Sequence, residues 1–123
     1  MNTQTYRDLI VWQKSMDLVV SIYQLTRYFP DSERFGLISQ IQRSAVSMPS
    51  NIAEGYGRVS GGDYNRFLLI ARGSLMEIET QLHIVHRLQF VNTSQFEPVW
   101  EQTQEIGRML HGLVRAVQRT NKP

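Results

Sequence analysis

FGLISQIQRSAVSMPSNIAEGYGR, residues Phe35 to Arg58, is the segment from which the fold of this chain can be predicted most directly. Its apolar residues recur at alternating steps of four and three, which places them on one face of a helix. They are Leu37, Ile41, Ala45, Met48 and Ile52. Such a face has to be buried, so the stretch predicts an amphipathic helix that packs against other helices.

The opposite side of this helix is polar, and the helix contains a proline. The polar residues are Arg43, Ser47, Ser50, Asn51, Glu54 and Arg58. Pro49 lacks the N–H that would bond to Ala45, and its ring crowds that carbonyl, so we expect a kink but not a helix end. We expect Ser44 and Ser47 to help satisfy the freed backbone groups.

Helix 1 is predicted to begin at an N-cap of Asp8 and to run to about Phe29. Its expected apolar face comprises Trp12, Met16, Val19, Ile22 and Thr26, widened by Leu18 and Leu25. Helix 2 is expected to end at Gly55 and Gly57, because glycine readily adopts the left-handed conformation that a helix C-terminus commonly needs.

Helix 3 has the clearest periodicity in the chain. It is predicted to begin at an N-cap of Ser60 or Asp63 and to run to about Leu88. Its seam alternates strictly by four and three, which is typical of helices in a bundle. The seam residues are Tyr64, Leu68, Ala71, Leu75, Ile78, Leu82 and Val85. Gly73 interrupts the helix at a cost of about 1 kcal/mol relative to alanine, so we expect another backbone to approach closely there.

Helix 4 is predicted to begin with a capping box of Ser94 and Glu97, with Pro98 in its first turn, and to end near Thr120. Its seam is Val99, Thr103, Ile106, Leu110, Leu113 and Val117. The sequence therefore predicts an all-α, antiparallel up-down four-helix bundle with a Pro-kinked second helix. We expect one domain over residues 6–120 and flexible termini at 1–5 and 121–123. Further bulky residues point to a subunit interface: Tyr23, Tyr28, Phe67, Leu69, Ile70, Phe90 and Trp100.

The composition excludes several classes of protein. The 123 residues are 41% hydrophobic and 20% charged, which is typical of a soluble globular domain. The chain has no cysteine, and neither a signal peptide nor a membrane span is recognisable, so we expect a cytoplasmic protein. The sequence contains no catalytic constellation and no nucleotide-binding loop, so we predict a protein that is not an enzyme and has no cofactor.

Three stretches resemble a known family. Tyr6–Val19, Phe35–Arg58 and Phe67–Glu79 are similar to bacterial four-helix bundle proteins first noticed as reading frames in intervening sequences of 23S ribosomal RNA genes. The family includes relatives of the accessory variability protein of diversity-generating retroelements. Its motif positions here are Trp12, Gln40, Arg43, Pro49, Ser50, Asn51, Glu54, Gly55, Gly57, Arg58, Phe67 and Gly73. Gln42 departs from the pattern, which often has a second basic residue, and Gln89 stands where glycine is usual.

The resemblance implies a non-enzymatic, ring-like homopentamer with a basic surface that binds nucleic acid. For the retroelement relative it also implies a reverse transcriptase as a protein partner. We therefore predict low-specificity binding of RNA or DNA, and no membrane partner. The predicted phosphate contacts are Arg108, Arg115, Arg119 and Lys122, followed by Arg43, Arg58 and Arg66. The alternative is a protein-interaction scaffold that uses its apolar and aromatic surface.

Charges along helix 4 have two explanations. Acidic residues precede basic ones near one stripe: Glu97, Glu101, Glu105, Arg108, His111, Arg115, Arg119 and Lys122. In the first explanation, the basic residues of the second half form a cationic patch at one end of the bundle that binds phosphates. In the second, complementarity to the helix dipole favours this order of charges, by roughly 0.3–1 kcal/mol per charge.

Two further groups of residues also have a structural and a functional interpretation. Arg43, Asn51, Glu54 and Arg58 either contact nucleic acid or another subunit, or stabilise helix 2 through a Glu54–Arg58 pair and an Asn51 bond near the proline. Pro49, Asn51, Glu54, Gly55 and Gly57 are thus a structural or interface motif. Glu79, His83 and His86 share one face, but a bundle metal site needs ligands from several helices, so we expect ordinary histidines and no metal.

Overall fold

The computed structural model describes residues 5–58 and 61–120, which form four long helices. These are α1 (Ile10–Leu25), α2 (Leu37–Tyr56), α3 (Gly61–Arg87) and α4 (Thr93–Thr120). Short 3₁₀ helices span Tyr6–Asp8, Thr26–Tyr28 and Asp31–Glu33, and the described residues contain no strand. Each long helix packs against the next one in the chain, and α1 also packs against α4. The protein is therefore an all-α four-helix bundle, as its periodicity predicted.

Hydrogen bonds between α2 and α3 define their relative direction. Ser74 Oγ donates to Ser47 Oγ at 3.0 Å, and Gln81 Nε2 donates to Ser44 Oγ at 3.5 Å. Residue numbers thus rise along α3 as they fall along α2, so the two helices are antiparallel. Together with the short connections between neighbouring helices, this gives the up-down topology.

The core contains the predicted seams of α2, α3 and α4, which are buried or half-buried throughout. Helix α1 is rotated relative to the prediction. Its buried residues are Val11, Ser15, Leu18, Ile22 and Leu25, whereas Trp12 and Val19 are half-buried and Met16 is 41% exposed. Ser15 can be buried because its hydroxyl donates to the Val11 carbonyl at 2.7 Å. A prediction that considers only apolar residues does not identify a buried helix face that includes a serine.

Helix α2 continues through Pro49, as predicted. Beside the proline, Ser50 Oγ donates to the Val46 carbonyl and Asn51 Nδ2 to the Ser47 carbonyl, both at 2.8 Å. The expected Asn51 bond near the proline is therefore present. Ser47 instead uses its hydroxyl oxygen to accept hydrogen bonds from Asn51 and from α3.

The glycines have different roles from those predicted. No described glycine has a positive φ, and Gly57 has a φ of −75°, so the left-handed end of α2 was a wrong prediction. Gly55 is buried within α2, where an added Cβ would lie 2.7 Å from Phe67 Cβ. Gly73 is exposed, and an added Cβ there would meet no atom within 4 Å. The close helix approach predicted at Gly73 is therefore found at Gly55.

The start of α1 also differs from the prediction. Thr5 and Asp8 form a reciprocal capping box around the first 3₁₀ helix, so Asp8 binds the Thr5 N–H and does not cap α1. The N-cap of α1 is Leu9, which makes no side-chain capping bond. Helix α3 begins at Gly61, and the proposed cap Ser60 lies outside the described residues.

Helix α4 is capped by Asn92 and Gln95, not by Ser94 and Glu97. The side-chain oxygen of each residue accepts the backbone N–H of the other at 2.9 Å. Because the helix begins at Thr93, Pro98 lies in its second turn. Asparagine is as good an N-cap as serine, so the motif alone did not decide between two starts that are two residues apart.

Gln89 ends α3 in a strained conformation, with a φ of 63°. The Phe90 N–H donates to the Val85 carbonyl at 3.0 Å, a bond typical of a helix end that is closed by a left-handed residue. A residue with a Cβ is destabilised by roughly 1 kcal/mol or more in the left-handed region of φ and ψ, whereas glycine is not.

The variant Gln89→Gly is therefore expected to raise the free energy of unfolding by roughly 0.5–1 kcal/mol in urea denaturation. The control is Gln40→Gly within α2, which should lose roughly 1 kcal/mol because glycine disfavours a helix interior. A loss of stability in both variants would contradict the strain assigned to Gln89.

Candidate nucleic-acid interface

Helix α4 carries its charged residues on its outer face. Glu97 and Glu101 are exposed in its first half. Its second half exposes Arg108, Arg115 and Arg119, which we call the basic stripe. These arginines span about 16 Å along the helix axis, and none has an ion-pair partner within residues 5–58 and 61–120. Lys122, also predicted as a phosphate contact, lies outside the described residues.

The surroundings of the basic stripe leave it open. Glu105, the last acid before it, lies 3.4 Å from Lys14 of α1 and is therefore engaged by that residue. Gly112 lies between Arg108 and Arg115, is exposed, and has no atom within 4 Å of an added Cβ. A ligand can therefore approach the helix backbone between the arginines.

Arg58 and Arg66 lie together at the junction of α2 and α3. Their guanidinium carbons lie over the Phe67 ring, 4.9 and 4.8 Å from its centroid. We call these three residues the arginine–phenylalanine cluster. Arg58 pairs with Glu54 at 2.6 Å, which confirms the predicted i,i+4 pair, and Arg66 lies 3.8 Å from Asp63. These carboxylates reduce the charge that the two arginines offer to a phosphate.

Arg43 is separate from both groups. It is exposed and lines a polar cleft between α2 and α3 with Gln40, Ser44, Glu77 and Gln81. Its neighbour Gln42 contacts Thr26, the residue directly after α1, and its Nε2 donates to Thr26 Oγ1 at 3.1 Å. Position 42 therefore contributes to the packing of α1 on α2 and does not extend the surface around Arg43.

His83 and His86 join α3 to α4 through aromatic contacts. The rings of His86 and Phe96 are stacked with centroids 4.4 Å apart, and the centroids of His83 and Trp100 are 4.6 Å apart. In the part of the chain that the structure describes, no group of three or more His, Cys, Asp or Glu side chains is arranged to hold a metal ion. The histidines thus have a packing role.

Tyr64 packs beside the arginine–phenylalanine cluster, and burial, followed by the nearby Tyr56, raises its pKa from 10.0 to about 12. The rings of Tyr56 and Tyr64 meet edge to face at 6.0 Å. The unfolded chain releases this proton at lower pH than the folded chain. The stability that this group contributes is therefore complete below pH 10.0 and is lost as the pH rises through about 12.

Absorbance titration of the phenolate should show that one of the five tyrosines ionises only near pH 12. This last step is expected to be absent in Tyr64→Phe. A variant that retains the late step would contradict the assignment to Tyr64.

Two apolar faces of the bundle are exposed. The first, which we call the α3 face, comprises the exposed apolar residues Leu69, Ile70, Met76 and Ile84 of α3 and Leu88 directly after it, with Glu77 and Thr80 among them. The second is a groove between α1 and α2, lined by Tyr6, Trp12, Met16, Val19, Val46, Pro49, Ser50 and Ala53. Phe35, two residues before the start of α2, is 90% exposed. Among the described helices, none has the length and hydrophobicity of a membrane span.

Fold and surface together define a four-helix bundle with a basic stripe on its last helix and apolar side faces. The sequence model of the 23S rRNA-intervening sequence protein family matches residues 7–112, and the chain belongs to this family. The resemblance seen in the sequence is thereby confirmed.

A solved structure has a similar fold. It is the crystal structure of a protein of unknown function from the S23 ribosomal protein family of Bacteroides thetaiotaomicron. The similarity has a TM-score of 0.77 and 27% sequence identity, and it covers 85% of this chain and 98% of that chain. No curated protein matches this chain.

Proposed function

We propose that this protein is a non-enzymatic, homo-oligomeric protein that binds nucleic acid through the basic stripe of α4. The observation that supports the proposal is the exposure of Arg108, Arg115 and Arg119 on one face of one helix, without ion-pair partners in the described part of the chain. A guanidinium group binds phosphate by charge and by paired N–H donors. Phosphate contacts read no base edges, so RNA or DNA would be bound with little sequence specificity.

Self-association is the second part of the proposal, and the resemblance suggests a pentameric ring. The exposed apolar residues of the α3 face and of the α1–α2 groove support it, because clustered exposed apolar residues commonly mark an interface. A ring repeats the basic stripe in every subunit and thereby strengthens binding to a long strand. The lack of cysteine fits a reducing compartment such as the cytoplasm.

A protein-interaction scaffold is the second candidate function, and the exposure of Phe35 favours it. In that case the apolar faces would bind a different protein, of which a reverse transcriptase is one example, and the charges would only keep the protein soluble. The two candidates differ in their response to salt, which weakens phosphate binding steeply but does not weaken apolar contacts.

Fluorescence anisotropy of labelled single-stranded RNA and duplex DNA tests the proposal, with light scattering to measure the oligomer mass. The purified protein is titrated into each probe from low to physiological salt. Binding that weakens steeply as salt rises, by a particle of several chain masses, is the expected result. No binding at low salt would contradict the proposal and favour the scaffold.

A further inference from the structure

We propose that the arginine–phenylalanine cluster is a stacking site for an unpaired nucleobase. The inference rests on the proposed function and adds to it a preference for single strands. The cluster consists of Arg58, which follows the end of α2, and of Arg66 and Phe67 in the first turns of α3.

The geometry of the cluster favours stacking. Both guanidinium groups lie over the Phe67 ring, and each has a carboxylate within 4 Å, Glu54 at 2.6 Å from Arg58 and Asp63 at 3.8 Å from Arg66. The side chains of Arg58 and Arg66 nevertheless remain 42% and 61% exposed. A planar guanidinium that rests on an aromatic ring can stack a base on its free face, as aromatic side chains do in RNA-binding proteins.

The charges of the cluster favour a base over a phosphate. Two arginines are matched by two carboxylates, so the cluster offers little net positive charge, and the carboxylate oxygens would repel a nearby phosphate. A nucleobase is uncharged and avoids this repulsion. In a duplex the bases are already paired and stacked, so only an unpaired base can reach the site.

Contacts that do not involve the two arginines also join α2 and α3 at this junction. Gly55 packs against Phe67, and the Tyr56 ring meets Tyr64, on the inner side of this junction. The guanidinium groups lie outside these contacts on the solvent side.

The cluster is also well placed relative to the basic stripe. Because α3 and α4 are antiparallel neighbours, the first turns of α3 and the last turns of α4 lie at the same end of the bundle. One strand that crosses this end can place phosphates on α4 and a base on the cluster.

The test compares two labelled strands of equal length, a short oligothymidine and its abasic sugar–phosphate counterpart, by fluorescence anisotropy. The native protein is expected to bind the strand with bases roughly tenfold or more tightly, since stacking of one base typically contributes a factor of that size. In the double variant Arg58→Lys, Arg66→Lys this preference should fall to about twofold or less. Affinity for the abasic strand should not change, because lysine keeps the charge.

The matched control is Arg27→Lys, Arg87→Lys, in which two exposed arginines that contact no aromatic ring within residues 5–58 and 61–120 are changed in the same way. It should keep the full preference for bases, and circular dichroism should show unchanged helicity in both variants. A preference that persists after the cluster is changed overturns the site. Equal weakening for both strands also overturns it, because the cluster would then be a phosphate contact.

The stacking site and the proposed function can fail separately. If the native protein binds both strands equally and salt weakens both, stacking is wrong while phosphate binding by α4 stands. If neither strand binds at low salt, both proposals are overturned.

Discussion

Gly55→Ala is expected to lower the free energy of unfolding by roughly 1–3 kcal/mol, although alanine is the better helix former. The added methyl group would lie 2.7 Å from Phe67 Cβ and 3.3 Å from the Tyr64 carbonyl oxygen. Neither atom is the end of a flexible side chain, so α2 and α3 would have to move apart. Such a movement loosens packing along the whole α2–α3 contact, because protein interiors are close-packed.

Gly73→Ala is the matched control, because the same change there should have the opposite sign. Position 73 is exposed within α3, and no atom lies within 4 Å of an added Cβ. Alanine should therefore raise the free energy of unfolding by roughly 0.5–1 kcal/mol. Urea denaturation measures both variants at one protein concentration. Stabilisation by both substitutions would contradict the close approach assigned to Gly55.

Charge reversal of the basic stripe should have the largest effect on binding. The triple variant Arg108→Glu, Arg115→Glu, Arg119→Glu is expected to lose on the order of a hundredfold or more in affinity for single-stranded RNA at about 0.1 M salt. Three attractive contacts become three repulsive charges. Acidic residues near a helix C-terminus also cost roughly 0.3–1 kcal/mol each, so helicity and oligomer mass must be checked in the same preparation.

The control places the same charge change at the opposite end of the bundle, in Arg27→Glu, Arg34→Glu, Arg87→Glu. All three of these arginines are exposed. Charges that lie further from the strand than the screening length, about 10 Å at 0.1 M salt, should alter affinity only severalfold. Equal losses in the two triple variants would mean that binding follows net charge and that the stripe is not a site.

Periodicity predicted the parts of the fold that depend on a single helix. The seams of α2, α3 and α4 repeat strictly, and a helix that buries one apolar face has only one way to orient it. Helix α1 was predicted less well, because its apolar residues cover more than one face and Ser15 occupies a buried position. The order of acidic and basic residues along α4 could likewise be predicted from the sequence, since all of these residues lie on one helix.

Features that depend on the register between helices could not be predicted. Spacing along one helix does not say which glycine meets a neighbour, so the close approach expected at Gly73 occurs at Gly55. The contact of Arg58 with Phe67 joins the connection after α2 to α3, and helix periodicity contains no information about that connection. At position 89 the resemblance predicts glycine, and the positive φ of Gln89 is a conformation that glycine adopts more readily than glutamine.

The salt dependence of binding is the sharpest test of phosphate binding by the basic stripe of α4. The equilibrium constant for single-stranded RNA is measured against salt concentration for the native protein and for Arg108→Gln, Arg115→Gln, Arg119→Gln. Each phosphate contact contributes about −0.7 to the slope of log K against log salt on a single strand, so the loss of three contacts should make the slope shallower by about 2. A slope that is the same in both proteins would contradict phosphate binding by α4.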